Sequence, residues 1–169
     1  MRDANPSAIH LKDYRKPDYL VETVDLRFDL REGATTVQSR LQVQRREGVA
    51  DNAALVLDGQ ELELLSVRID EIARELTTLE LTDDTLTLTD LPARFMLEIE
   101  TLIRPEQNTK LEGLYKSGTM SCTQCEAEGF RRITYYPDRP DIMARFSVHI
   151  SADEKDYPVL LSNGNMVDN

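Results

Sequence analysis

Apolar and polar residues alternate one by one along much of this chain, which is the period of a β-strand with one wet face. The first two alternating runs cover 24–30 and 37–43 and flank the turn signal Arg31-Glu32-Gly33. Their inward positions are Val24, Leu26, Phe28, Leu30, Val37, Ser39, Leu41 and Val43. We therefore predict an antiparallel hairpin at the start of a β domain.

Shorter strand patterns follow this hairpin. The apolar residues of 62–69 change parity between Leu64 and Leu65, which predicts a bulge or a change of face. The segment 72–76 fits a helical turn or a loop equally well. The further strands that we predict are 54–57, 78–81, 85–89, 95–103 and 146–150, with a last apolar piece at 159–161.

About eight or nine strands at regular spacing, without a long helical pattern, indicate an all-β fold. The length of 169 residues suits one domain. Residues 1–18 are charged and interrupted by Pro6 and Pro17, so we predict an extended N-terminal arm there. The β domain then covers 19–169.

Charge and hydropathy exclude several classes of partner. The net charge is −11 and the basic residues are scattered, so we expect no nucleic-acid partner. There is no apolar run of about 18 residues, so we expect no membrane span. The polar start of the chain has no apolar h-region, so we expect no signal peptide. Together with only two cysteines, this predicts a reducing compartment, the cytoplasm.

Both cysteines lie in one C-x-x-C motif, Cys122-Thr-Gln-Cys125. A thioredoxin-type redox pair would require a βαβ context. A zinc knuckle would require a second pair of ligands, whereas His10 and His149 are distant and single. We therefore favour two reduced cysteines that shape a loop.

Gln124, Glu126 and Glu128 place polar groups at alternate positions beside the cysteines. If the segment is extended, the three side chains point the same way and could bind a cation such as a substrate ammonium group. A solvated edge strand is the alternative. No nucleophilic triad, phosphate-binding glycine loop or H-E-x-x-H motif accompanies them, so the residues alone encode no complete catalytic apparatus.

The stretch 121–141, which contains these residues, closely resembles the N-terminal domain of bacterial aminopeptidase N. These enzymes are large zinc-dependent aminopeptidases of the gluzincin class. Further resemblance lies in 13–19, 108–118, 144–146 and 160–165, so it extends over nearly the whole chain.

The resemblance implies a saddle-shaped, mostly antiparallel β domain that covers a thermolysin-like catalytic domain. Glu126 would bind the free α-amino group of a peptide N-terminus, and Gln124 would line the pocket for the first side chain. The family's zinc ligands and catalytic tyrosine would lie beyond residue 169. The whole protein would thus be a zinc metallo-aminopeptidase, while this chain would hold no metal and would be inactive alone. Its partners would be the catalytic domain and peptide N-termini.

The turn at 163–165 has no returning strand after it, so we expect the chain to be a piece of a longer protein. A surface that normally meets the partner domain would then be exposed. Tyr135 and Tyr136 are candidates for its edge, with core packing as the alternative for one of them. The competing hypothesis is a standalone β-sandwich binding module without enzymatic activity.

Overall fold

The computed structural model of the protein describes residues 10–167. This range contains eleven strands and four short 3-10 turns. The strands are β1 (Tyr19–Arg31), β2 (Ala34–Arg45), β3 (Leu55–Asp58), β4 (Glu63–Ile69), β5 (Ile72–Ala73), β6 (Glu80–Leu81), β7 (Thr85–Leu88), β8 (Arg94–Ile103), β9 (Gly113–Ser117), β10 (Met120–Gln124) and β11 (Arg145–Ala152). The 3-10 turns are Leu11–Asp13, Leu76–Thr78, Pro105–Gln107 and Phe130–Arg132.

The strands form three sheets. The largest has six strands in the order β11-β1-β2-β8-β4-β5, and β9 with β10 and β3-β7-β6 form the other two. Every neighbouring pair is antiparallel except β1 and β11, which are parallel. The prediction of an all-β, mostly antiparallel fold is confirmed.

The first hairpin and the parity change have the structures that their patterns predict. In the β1–β2 hairpin Leu26 pairs with Ser39 and Phe28 with Val37. Gly33 closes its turn at φ +80°, a left-handed conformation that suits glycine. The register of β4 against β8 shifts between Leu64 and Ser66, which is the predicted bulge.

The main core lies between the inner face of the six-stranded sheet and the three-stranded sheet. Leu41 and Leu97 from the large sheet and Leu57 and Leu86 from the small one have no exposed surface. They belong to one continuous apolar cluster. Burial of these alternating side chains fixes which face of each strand turns inward.

A second, smaller cluster attaches the β9–β10 ribbon to the large sheet. Leu114 of β9 packs with Val37 and Ile103 of the sheet and with Ile133. The Thr101 hydroxyl also donates a hydrogen bond of 3.1 Å to the Ile133 carbonyl. This cluster determines where the end of β10 stands relative to the sheet.

Several element predictions need correction. Leu76–Thr78 is a 3-10 turn and Glu80–Leu81 is a strand, so only the second half of the predicted strand 78–81 is confirmed. The 159–161 piece forms no strand and its apolar side chains are exposed. We did not predict β9 and β10, because 113–124 lacks an alternating apolar pattern.

Tyr135 and Tyr136 do not lie at the border of an exposed surface, so the prediction that they do is wrong. Their exposed fractions are 3% and 4%. The ring of Tyr135 packs directly against Gly59, where any side chain would collide with it.

Of the predicted arm, residues 1–9 lie outside the described part. Residues 10–18 hold the first 3-10 turn, and the boundary before Tyr19 stays a prediction.

Candidate functional site

The polar residues singled out in the sequence lie where β10 ends and the chain turns. Gln124 is the last residue of β10, and a tight turn covers 126–129. The Gly129 N–H closes this turn by donating to the Cys125 carbonyl at 2.8 Å. The segment is therefore not extended beyond Gln124, and the expected alternation of three side chains on one side is wrong.

Gln124 and Glu126 nevertheless stand together at this turn. Both are exposed, and the Gln124 side-chain amide donates to the Glu126 backbone carbonyl at 3.2 Å. Within residues 10–167, the Glu126 carboxylate has no hydrogen bond or ion pair. It is a free anionic group on a defined backbone.

Two glycines allow the turn to pack tightly on the start of β9. A Cβ at Gly129 would lie 2.5 Å from the Gln124 carbonyl oxygen and 3.1 Å from the Gly113 nitrogen. Gly113 itself has φ +72°, and a Cβ there would lie 2.6 Å from Cβ of Arg132. Because these neighbours are mostly backbone atoms that cannot move aside, the site depends on glycine at both positions.

Arg131 fixes one side of the turn to the segment that follows it. Its backbone N–H and its Nε donate to Asp138 Oδ2 at 3.2 and 3.0 Å. Asp58 lies 3.8 Å and Glu128 3.7 Å from its guanidinium. Burial lowers the pKa of Arg131, but the bond to Asp138 and the nearby carboxylates outweigh this and raise it. Glu128 is thus paired, whereas Glu126 is not.

Arg132 fixes the other side of the turn. Its Nε donates to Glu112 at 3.3 Å and its Nη2 to Gln60 at 3.1 Å. Its Nη1 lies 2.8 Å from a carboxylate oxygen of Glu61. This contact is an ion pair but not a hydrogen bond, because the N–H groups do not point at the oxygen. The side chain is only 11% exposed. Sequence reasoning missed this role, for which the adjacent arginines in an acidic chain were the only signal.

An aromatic cluster lies beneath the turn. Phe130 packs edge-on against Tyr136 and Phe146, with ring centroids 5.0 and 5.9 Å apart. Burial, and to a smaller extent the nearby Asp138, raises the pKa of Tyr136 to about 12. The Tyr136 hydroxyl has no hydrogen-bond partner among the described residues. The turn therefore rests on apolar packing as well as on ion pairs.

The two cysteines are free and differ in position. Cys122 lies within β10, opposite Tyr115, rather than in a loop. Cys125 begins the turn, and burial, with a smaller contribution from Asp138, raises its thiol pKa. A raised pKa disfavours the thiolate that redox or metal chemistry needs. Within residues 10–167 no three His, Cys, Asp or Glu residues are grouped to hold a metal ion.

The sequence matches the model of a known protein family, the Peptidase M1 N-terminal domain, over residues 14–169. This chain belongs to that family. Aminopeptidase N of Escherichia coli is 49% identical over 96% of the chain, and aminopeptidase N of Caulobacter vibrioides is 48% identical over 99%. The chain spans only 18% and 19% of these two relatives. It therefore corresponds to the N-terminal domain of M1 aminopeptidases.

Solved structures agree with this assignment to the M1 family. Aminopeptidase A of Legionella pneumophila, in complex with aspartic acid, superposes with a TM-score of 0.86 at 37% identity. It covers 94% of this chain, which spans 19% of that protein. An M1 zinc metallopeptidase from Deinococcus radiodurans has a TM-score of 0.66 over 81% of this chain, which spans 33% of it. At 19% identity, that likeness shows the fold alone.

The described part of this M1 domain contains no helix that is long and apolar enough to cross a membrane. The cytoplasmic location expected from the sequence stays a prediction.

Proposed function

We propose that this chain is the substrate-anchoring domain of a zinc-dependent aminopeptidase, which removes amino acids from the N-termini of peptides. Membership of the M1 family and the names of the relatives support this proposal. So does the Legionella relative, which was crystallised with aspartic acid, a molecule with a free α-ammonium group.

The observation that carries the proposal is the unpaired carboxylate of Glu126 on a turn held from both sides by arginines. An exopeptidase must recognise the charged amine that marks a peptide N-terminus. A fixed carboxylate does this through a short charge-assisted hydrogen bond. It also disfavours substrates without an amine, because burial by such a substrate would leave the carboxylate unpaired.

Gln124 fits the supporting role expected for it. Its side-chain amide donates a hydrogen bond of 3.2 Å to the Glu126 backbone carbonyl. The two residues therefore lie together, and we call them the polar edge of the turn. On this edge Glu126 would bind the α-ammonium and Gln124 would contact the first side chain. Glu128 is excluded from this task, since it faces Arg131.

The proposed peptidase also needs a zinc ion and a catalytic domain, and the described residues of this chain do not fit a zinc site. When bound elsewhere in the protein, zinc would polarise the scissile carbonyl and activate water. The contribution of this chain is to bind and orient the N-terminus, because correct placement of reacting groups lowers the barrier. Alone, the chain would be inactive.

The catalytic domain is the partner that we propose, and the exposed apolar side chains of β11 are the surface that we assign to it. Phe146 and Val148 pair with Val24 and Leu26 of β1 and therefore lie on the same, inner face of the sheet. Val24 and Leu26 are buried, whereas Phe146 and Val148 are 49% and 40% exposed. The core face thus continues into a strand that the described residues cover only in part.

Turnover and metal content test the proposal. We expect the full-length protein to contain zinc and to hydrolyse aminoacyl chromogenic substrates with a free α-amine, but not their N-acetylated forms. The 169-residue chain should do neither. Stoichiometric zinc and turnover in the chain alone, or a full-length protein that is inactive with zinc present, would contradict the proposal. The second result would favour a binding module.

A further inference from the structure

We propose that Arg132 is a positioning residue for the anchor carboxylate, which sets the place of Glu126 without touching substrate. This inference rests on the proposed function. Arg132 is the last residue of the 3-10 turn Phe130–Arg132, directly after the turn that carries Glu126. Its guanidinium donates hydrogen bonds to Glu112 and Gln60 and forms an ion pair with Glu61, on two other segments.

The three partners of Arg132 lie at the two places that border the site. Gln60 and Glu61 follow β3, and Glu112 directly precedes β9. The Gln60 backbone N–H also donates to the Arg131 carbonyl at 2.9 Å. One side chain therefore connects the turn, the end of β3 and the start of β9.

The start of β9 is the link from Arg132 to the anchor. Gly113, the residue after Glu112, pairs with Gln124 in the β9–β10 ribbon. Gly113 also contacts Gly129 at the other end of the turn. If Glu112 moves, the pairing partner of Gln124 and the support of Gly129 move with it, and Glu126 lies between them.

Charge makes this link sensitive to the identity of residue 132. Glu61 and Glu112 are two carboxylates around one guanidinium, whose planar fork of N–H groups can contact several partners at once. A neutral residue would leave the carboxylates to repel each other and separate the segments that Arg132 joins. Lysine keeps the charge but offers a compact ammonium group instead of the fork, so it should restore part of the function.

The test is a double-mutant cycle in the full-length protein, with steady-state kinetics on an aminoacyl substrate. We expect Arg132→Met to lower kcat/KM about tenfold and Arg132→Lys about threefold. In a Glu126→Gln background, Arg132→Met should cause less than about a twofold further loss, because positioning has no effect once the positioned charge is gone. An additive loss would overturn the proposal.

Arg45 provides a matched control for general destabilisation. Its side chain is 9% exposed, against 11% for Arg132, and it binds Asp51 and the Leu91 carbonyl at the far end of β2. Arg45→Met should lower the melting temperature to a similar extent but leave kcat/KM unchanged. An equal loss of kcat/KM in both variants would mean that Arg132 contributes only to stability and does not position Glu126.

The outcomes separate this inference from the proposed function. If Glu126→Gln lowers kcat/KM and Arg132→Met does not, Arg132 is not a positioning residue and the anchor stands. If Glu126→Gln is without effect, both the anchor and the inference are wrong, whatever Arg132→Met does.

Discussion

At the scale of single residues, two identical side chains separated by one alanine have different environments. The Glu128 carboxylate lies 3.7 Å from the guanidinium of Arg131. Among the described residues the Glu126 carboxylate has no such partner. A charge that is already neutralised attracts a second cation weakly, so of these two carboxylates Glu126 is the one that we propose as the ammonium site.

Replacement of Glu126 by Gln keeps the shape of the side chain and removes its charge. A charged hydrogen bond contributes roughly 1.5–3 kcal/mol, so kcat/KM of the full-length protein should fall about ten- to hundredfold. Since the amine also positions the scissile bond, kcat should fall and KM should rise. Steady-state kinetics on an aminoacyl substrate measures both.

Glu128→Gln is the matched control, and we expect nearly normal kinetics from it. A larger loss in Glu128→Gln than in Glu126→Gln would mean that the anchor is the other carboxylate.

Tyr136 makes the stability of the fold sensitive to alkaline pH. Its pKa is raised to about 12 by burial and Asp138, whereas an unfolded tyrosine titrates near 10. Between about pH 10 and 12 the unfolded state loses this proton while the folded state keeps it, so stability falls as pH rises. The full effect is roughly 2–3 kcal/mol, since one pKa unit corresponds to about 1.4 kcal/mol.

Tyr136→Phe should therefore flatten the stability curve in this window, as measured by denaturant titration at several pH values. It should cost little near pH 7, because the hydroxyl has no partner among the described residues. Identical alkaline curves for wild type and Tyr136→Phe would contradict the assignment.

At the scale of elements, β11 combines an open edge with an inner face that is only partly covered. Within residues 10–167 it pairs with β1 on one side only. In the segment after it, Val159 and Leu161 are 72% and 86% exposed. Exposed apolar surface larger than single scattered side chains marks an interface.

The chain alone should therefore bind a hydrophobic dye such as ANS, and the full-length protein should not. Val148→Thr should reduce dye binding to the chain, because it removes apolar surface from the centre of the partly covered strand. Val56→Thr is the control, since this single valine on β3 is 51% exposed outside that surface. Equal fluorescence from all three chains, or no binding by the wild type, would contradict the assignment of the interface.

At the scale of the whole molecule, the two arginines divide the attachment of the site between separate parts of the fold. Arg131 joins the turn to Asp58 and Asp138, and Arg132 joins it to the segments beside β3 and β9. Several ion pairs, two glycine contacts and an aromatic cluster thus converge on one turn. Such redundancy holds the backbone of the turn in place, as the proposed anchoring role requires.

The sequence by itself determined the regular part of the fold. The alternation in β1, β2 and β8, the glycine turn and the bulge in β4 could all be predicted, because each depends on near neighbours and on which face is buried. The resemblance around Gln124 and Glu126 likewise indicated the family, since a motif of this length identifies a family even before its structure is known.

Only the tertiary structure decided the environment of the site. β9 and β10 have no alternating pattern, because they form a two-stranded ribbon in which Leu114 reaches the core and the turn supplies further contacts. The three partners of Arg132 lie up to 72 positions from it in the sequence. The burial of Tyr136 likewise depends on residues that are distant in the sequence. Whether a carboxylate is paired or free depends on such long-range neighbours, and that difference separates Glu126 from Glu128.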